Sequence, residues 1–537
     1  MSFFLLAAFA LRFVNVAEEA GVARVLTFGG VAEKRYILET TGTGAAFFDY
    51  DEDSDLDLFV VDGVRLDVVP EGAGSRLYRN DGEGRFDDVT VESGLSQKGW
   101  GQGAACSDVD NDGDLDLLVT YFDAALLYRN RGDGTFIEES ETSGLRQKGW
   151  HTSAAFGDYD ADGFDDLFIA RYVDFDRKTT PEPGGAPYCF FMGIGVMCGP
   201  KGLPPARSVL YRNRGDGTFE DRSEAAQVGI LPDYSLGAVW SDLDNDQDLD
   251  LFVANDQSGH NLYLNDGSGR FRDIALEAGV AFNEDGRAQA GMGVDVSDYD
   301  NDGFFDIHVT NFSHDYNTLY QNTGGGFFLD VSFAAGIAEE SYLFLGWGTG
   351  FHDFDRDGFL DIFVANGHVY PEVAKEEIES DYAQRSLLFR NRGDARFEEI
   401  GEPSGLVETL AGRGTAFADY DEDGDIDVFV TQMNGKPALY RNDPEASGHF
   451  LGLRLVGRES SRDALGARVT LVAGGGPRQI REVRSGGSYL SQSDPRAFFG
   501  LGDLERVEKI EILWPSGRAQ EISAPEVDRY LLVVEGI

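Results

Sequence analysis

One nine-residue pattern, Asp-x-Asp-x-Asp-x-x-x-Asp, occurs seven times and constrains the fold more than any other feature of the chain. The copies occupy residues 49–57, 108–116, 158–166, 242–250, 298–306, 353–361 and 419–427. Their first aspartates are spaced by 59, 50, 84, 56, 55 and 66 residues, and the longest gap contains an insertion, roughly 173–208. Internal repetition at this period decides the architecture before any local propensity does.

Each copy sits in a fixed frame. A small-residue strand precedes it, as in Gly44-Ala45-Ala46-Phe47, and a short apolar run follows, as in Leu58-Phe59-Val60-Val61. Next comes a strand of the type Leu77-Tyr78-Arg79-Asn80, whose other copies begin at Leu127, Leu210, Leu262, Leu319, Leu388 and Leu439. A glycine-rich hairpin turn and a Phe-led strand such as Phe86-Asp87-Asp88-Val89 close the unit. Four short strands per unit, separated by turn signals, make a propeller blade. The seventh unit stops at Asn442, and its missing Phe-led strand stands at the front of the chain as Phe13-Val14-Asn15-Val16. The expected fold is therefore all-β: a seven-bladed β-propeller over 13–448, closed by the N-terminal strand so that no sheet edge is left open. A small β-rich, sandwich-like domain is expected over 449–537.

In all seven copies the first, third, fifth and ninth positions are Asp. These are Asp49, Asp51, Asp53 and Asp57; Asp108, Asp110, Asp112 and Asp116; Asp158, Asp160, Asp162 and Asp166; Asp242, Asp244, Asp246 and Asp250. The remaining copies supply Asp298, Asp300, Asp302 and Asp306; Asp353, Asp355, Asp357 and Asp361; Asp419, Asp421, Asp423 and Asp427. Alternating carboxylates on a tight loop aim several oxygens at one centre, which is repulsive without a hard cation there. Calcium, with six to eight oxygen ligands in flexible geometry, fits better than magnesium, which demands a tighter octahedron. The seventh position varies between Asp and Phe and is read as a carbonyl donor. Good turn chemistry alone accounts for one or two such loops, not for seven in one frame. Ser54 and Gln247 replace the glycine found at the sixth position elsewhere. A turn with positive φ there costs a non-glycine residue about 1 kcal/mol, so the sites at Asp49 and Asp242 are expected to bind more weakly. The ions are expected to be structural, clamping the turn between two strands and stabilising the folded state by linkage.

The net charge of −50 agrees with this reading and excludes nucleic acid and anionic membrane as natural partners. With 42% hydrophobic and 12% aromatic residues the chain is not an acidic disordered one. From Phe450 onward there are 12 basic and 12 acidic residues, so the whole excess lies in the repeats and a domain boundary falls near 449. No apolar stretch approaches the roughly 20 residues of a transmembrane helix. Residues 1–12 open with an apolar run ending Ala8-Phe9-Ala10, open to two readings: the remnant of a secretory signal, or a buried N-terminal strand. Cys189 and Cys198 would pair in an oxidising compartment, closing a loop of ten residues worth roughly 3 kcal/mol in the chain-entropy model. Cys106 aligns with Phe47, Phe156 and Trp240 and is expected in the core.

The loops resemble FG-GAP and VCBS repeats, the calcium-binding blades of integrin α-subunit propellers. The final ninety residues resemble an ASPIC/UnbV domain through the stretch Asp463-Ala464-Leu465-Gly466-Ala467-Arg468-Val469, the segment 481–494, Phe499-Gly500-Leu501-Gly502 and Trp514-Pro515-Ser516-Gly517. The combination resembles the cartilage acidic protein family and its bacterial relatives, which implies the propeller, calcium binding and an extracellular setting.

Three Arg-Gly-Asp tripeptides begin at Arg131, Arg214 and Arg392, each in a hairpin turn whose chemistry explains it. His308 aligns with core phenylalanines, and His151, His260, His314 and His368 fall near turns at one rim without metal-ligand spacing. Arg478, Arg481 and Arg484 are read as solvated strand positions, the alternative being that they dock on the acidic propeller. The chain is expected to be secreted, cell-surface or periplasmic and to act as a non-enzymatic interaction or adhesion protein toward an extracellular protein or glycan, with the insertion as the first place to look for specificity. The alternative is an enzyme with its site in the funnel or at the junction with the C-terminal domain.

Overall fold

The computed structural model describes residues 11–375, 379–444, 448–474 and 476–537. The apolar start at 1–10, with its two readings, lies outside the described residues.

Seven four-stranded antiparallel sheets form along residues 13–442 among the described residues. In the first, Ala45–Phe48, Asp57–Val60, Arg76–Asn80 and Phe86–Asp88 lie side by side, with Ala45 opposite Val60, Leu58 opposite Tyr78 and Tyr78 opposite Asp88. Each acidic loop is the turn between the first and second strands of its sheet. The seventh sheet consists of Gly412–Ala418, Asp427–Gln432, Ala438–Asn442 and, fourth, Phe13–Asn15 from the N-terminus. Phe13 pairs with Asn442 and Asn15 with Tyr440. The first strands pack side by side in chain order, and Gly412–Ala418 packs on Ala45–Phe48. This is a β-propeller arrangement, with the N-terminal strand completing its last sheet.

First strands crowd an axis, which explains their small residues: a Cβ on Gly44 would run into the carbonyl oxygen of Leu490. Between neighbouring sheets lie apolar layers; Phe59, Leu77, Cys106, Leu117 and Tyr128 form one of them. Each such fully buried large side chain contributes roughly 1.5–3 kcal/mol. Cys106 is a core residue, as expected.

The C-terminal domain packs two sheets together. One holds Ala497–Gly502, His449–Val456 and Arg529–Val534; the other holds Gln479–Glu482, Arg468–Val472, Lys509–Leu513 and Ala519–Ser523. Its core of Leu453, Val469, Phe499, Ile510 and Trp514 is continuous with that of the second and third propeller sheets. The insertion at 173–208 carries the Cys189–Cys198 disulfide, which closes a small hairpin of Phe190–Phe191 and Ile194–Gly195. No helix among the described residues is long and apolar enough to cross a membrane.

Candidate metal centres and the filled funnel

The second acidic loop shows how the repeat builds itself. Asp108 caps the turn, accepting the Asp112 N–H on Oδ1 (3.0 Å) and the Gly113 N–H on Oδ2 (2.8 Å). Asp112 Oδ1 accepts the Asp114 N–H at 3.0 Å. Asp116, the ninth residue, accepts the Val109 N–H on one oxygen and the Asn130 N–H on the other, at 3.4 and 2.8 Å. The backbone runs left-handed at the sixth position: φ is 110° at Gly113, and it is 80° at both Ser54 and Gln247, which hold the strained conformation expected of them. The fourth residue is left-handed as well in every loop, including Ala161 at 55° and Arg356 at 56°.

This folding gathers carboxylates. Ligand oxygens of Asp49, Asp51 and Asp53 lie within 4.8 Å of one another, and the matching trios of the second, fourth and fifth loops do the same. In the third loop Asp158 and Asp160 gather with the ninth residue, Asp166. Seventh-position side chains turn away: Asp55, Asp114 and Asp248 lie against the hairpin glycines Gly82, Gly132 and Gly267, and Phe164, Phe304 and Phe359 against Gly215, Gly324 and Gly393. Asp425, the seventh residue of the last loop, pairs with Arg356 at 2.8 Å. Only the carbonyl of the seventh residue is then left for the loop centre.

The electrostatics of the loops are those of sites short of positive charge. Burial lifts the carboxyls of Asp108, Asp158, Asp242, Asp298 and Asp419 to about 7 and that of Asp57 to about 8, with neighbouring carboxylates pushing the same way. Buried carboxylate oxygens also lack any hydrogen-bond partner: Oδ1 of Asp49, Asp51, Asp160, Asp355, Asp419 and Asp421. An unsatisfied buried acceptor costs about 1–3 kcal/mol. Two of them in the first loop and two in the seventh fit a hard cation that takes oxygen ligands, so these residues suit the expected calcium.

Seven asparagines complete the loops and escaped the sequence reading. Asn80 Nδ2 donates to the Leu56 carbonyl of its own loop (3.1 Å) and to the Tyr420 carbonyl of the neighbouring loop (2.8 Å). Asn130, Asn213, Asn265, Asn322 and Asn391 each bridge two loops in the same way, and Asn442 reaches the Phe354 carbonyl at 2.9 Å. The signal was present in the chain's own repeats, where this position is Asn in all seven copies. What was hidden is the partner, which belongs to another blade.

The C-terminal domain sits on the loop end of the propeller and sends residues 484–494 down its axis. Phe47 N–H donates to the Gln492 carbonyl and Gln492 N–H to the Ala45 carbonyl, at 3.1 and 2.9 Å. Ala104 N–H meets the Leu490 carbonyl (3.1 Å), Gly487 N–H the Ala238 carbonyl (3.0 Å), Val294 N–H the Ser488 carbonyl (2.9 Å) and Asp494 N–H the Phe417 carbonyl (2.9 Å). Phe156 N–H donates to Ser485 Oγ at 3.3 Å, and Tyr489 lies on Trp347. The segment thus touches the first strand of all seven sheets. Tyr489 is fully buried, and Trp150, Tyr172, Val196, Met197 and Leu203 close the far side in one apolar cluster with it.

Two of the three arginines read as solvated are interfacial. Arg481 is 7% exposed and donates to the Phe498 and Ile480 carbonyls, while Arg484 pairs with Asp295 of the fifth blade at 3.3 Å. Arg481 on the strand Gln479–Glu482 and Arg484 just after it lie where the domain turns onto the propeller, which alternation alone does not reveal. Arg478 is exposed, beside Glu511. His308 packs in the core, with Nδ1 2.9 Å from Thr349 Oγ1 and its pKa lowered to about 3 by burial. His151, His260 and His368 are buried, and burial likewise holds them neutral. The three Arg-Gly-Asp tripeptides lie in hairpin turns between third and fourth strands. A cavity of about 290 Å³ remains at the domain junction, lined by Cys106, Leu455, Leu465, Leu531, Arg454 and Arg462 among others.

The FG-GAP-like repeat model matches residues 49–119, 108–169, 202–253, 242–309, 298–364 and 353–430. The chain belongs to the FG-GAP-like repeat family. Residues 457–537 match the ASPIC and UnbV family, so the domain that fills the FG-GAP propeller is of that type. Among curated proteins, cartilage acidic protein 1 of Mus musculus is 26% identical over 348 residues, covering 62% of this chain and 49% of the relative. The Homo sapiens protein of that name is likewise 26% identical over 348 residues, with 62% and 48% covered. The FG-GAP chain therefore spans about half the length of the curated relatives it matches. Among solved structures, the BP39L lectin of Burkholderia pseudomallei aligns with a TM-score of 0.45 at 11% identity over 76% of this chain and 100% of that one, a likeness too distant to bear on function.

Proposed function

We propose that this FG-GAP protein is an extracellular, calcium-binding interaction protein whose ions are structural, and whose rim engages another protein or a glycan. Cations in the acidic loops would hold the first, third, fifth and ninth aspartates of each blade together with the seventh carbonyl, cancelling repulsion inside the turn. The relationship to cartilage acidic protein 1 and the Cys189–Cys198 disulfide support an oxidising, extracellular setting.

The observation that carries a binding role over chemistry in the funnel is the filled axis. Segment 484–494 occupies the space in which a funnel enzyme would hold its substrate, and its polar backbone is spent on hydrogen bonds to the blades. What the molecule offers outward is loop surface, above all the insertion hairpin, where Phe190 is 52% and Met192 56% exposed beside the disulfide. The alternative, an enzyme, would then have its site at the junction with the C-terminal domain, where the cavity of about 290 Å³ lies.

The test is a glycan and secreted-protein binding screen of the calcium-loaded chain, repeated with Phe190→Ser/Met192→Ser. Saturable binding that the double variant weakens supports the proposal. A turnover activity abolished by blocking the junction cavity would overturn it.

A further inference from the structure

The residue just before each bridging asparagine is Arg79, Arg129, Arg212, Leu264, Gln321, Arg390 or Arg441 in chain order. In three blades its guanidinium sits on the loop's own carboxylates. Arg129 lies 2.9 Å from Asp110 and 2.6 Å from Asp116; Arg212 lies 2.6 Å from Asp160 and 2.7 Å from Asp162; Arg390 lies 2.7 Å from Asp355. In the fifth blade the equivalent contact is neutral, Gln321 Nε2 donating to Asp300 Oδ2 at 2.6 Å. In the fourth, Leu264 brings no donor at all. Arg441 is held by Asp443 at 2.7 Å, and Arg79 is exposed.

We infer that this side chain sets the cation affinity of its loop, and that the fifth loop fills before those of the second, third and sixth blades. The inference rests on the calcium reading and adds a ranking to it. An arginine on the third-position carboxylate neutralises an oxygen donor and must share it with the ion or leave it. A unit charge held about 6 Å from a dication in a partly screened site lowers affinity by about tenfold to a hundredfold.

Other charges near the loops do not reverse the order. Arg454 and Arg462 of the C-terminal domain approach Asp49 and Asp108 at 3.3 and 3.6 Å, adding to the handicap of the first and second loops. Arg468 lies between the fourth and fifth loops, donating to Asn245 Oδ1 of one and the Gly303 carbonyl of the other, and among the described residues it forms no ion pair with an aspartate of either. Arg481 stands near Asp298 and Asp353 alike but gives its hydrogens to the Phe498 and Ile480 carbonyls and to Gln479 Oε1, so it does not separate the fifth loop from the sixth. The fourth loop lacks the arginine yet strains Gln247 at φ 80°, whereas the fifth has Gly303 and neither handicap.

The experiment uses metal-stripped crystals of the full chain soaked in limiting and then saturating Tb3+, with anomalous scattering giving the occupancy of each loop. The expected result at limiting ion is highest occupancy in the fifth loop and lowest in the second, third and sixth. In Arg212→Leu the third loop should rise about tenfold in apparent affinity; in Gln321→Arg the fifth should fall by a similar factor. Equal occupancies at limiting ion, or variants that leave the order unchanged, overturn the ranking while leaving the metal sites standing. No uptake in any loop at saturation overturns the calcium reading and the ranking together.

Discussion

Tyr489 of the C-terminal domain lies against Trp347 of the sixth blade with ring centroids 4.8 Å apart, and it donates its hydroxyl to the Thr41 carbonyl at 3.1 Å. On the same indole sits the Arg413 guanidinium, 4.2 Å from the ring centroid, fully buried and donating to the Thr40, Gly367, Gly412 and His368 carbonyls. The two domains are thus joined through the axis of the ring and not only across a face.

Tyr489→Ala should therefore cost about 3–5 kcal/mol, the usual loss for a large buried aromatic. Tyr489→Phe removes only the hydrogen bond and should cost about 0.5–1.5 kcal/mol. Urea denaturation of both variants checks the values. Separate unfolding of the two domains in the wild type would contradict a shared core.

How much of this was legible in the chain depends on range. The acidic loops, the blade frame and the pairing of Phe13 with the last sheet follow from spacing alone, because each repeat must satisfy the same local geometry. The axial segment did not, because Arg484-Ser485-Gly486-Gly487-Ser488 has the composition of a surface loop. A polar backbone can be buried wherever its groups find partners. Here the partners come from the first strands of the propeller, from 77 residues earlier at Phe417 to 447 earlier at Ala45. The left-handed fourth position was equally invisible, since Glu, Asn, Ala and Arg all occupy it and no residue type marks it.

Ser54 and Gln247 hold φ of 80° where five loops have glycine. Ser54→Gly and Gln247→Gly should each relieve about 1 kcal/mol of strain, which is severalfold in cation affinity at that loop. Calcium titration calorimetry of the single variants reads this out. A loss of affinity on substitution to glycine would show that the side chain, not the backbone, matters there.

Reducing Cys189–Cys198 should loosen the insertion and leave the propeller folded. The bridge joins positions nine residues apart in a segment outside the blade repeat, so its loop-closure contribution of about 3 kcal/mol acts locally. Limited proteolysis with and without reductant should show new cleavage confined to 173–208. Cleavage throughout the blades would instead make the insertion a keystone of the ring.

Acidity and metal should oppose each other in a defined window. Without metal, the folded state holds the first carboxyls of several loops at about 7 and Asp57 at about 8, against an ordinary value of 3.8. The folded form therefore binds more protons than the unfolded form between about pH 4 and 8. Its stability contribution from these groups is fully present below the ordinary value and is lost as pH rises through 7 to 8. Calcium needs the ionised form and displaces those protons, so its stabilisation must grow across the same interval. A site held at a hundredfold its Kd adds about 2.7 kcal/mol. Thermal melts at pH 5, 6, 7 and 8 should show Tm falling with pH in chelator, and the gap between calcium-loaded and chelated protein widening. A chelated protein that grows steadily more stable from pH 5 to 8 would mean that the loops carry their charge without strain, and the argument for cations at their centres would lose its physical basis.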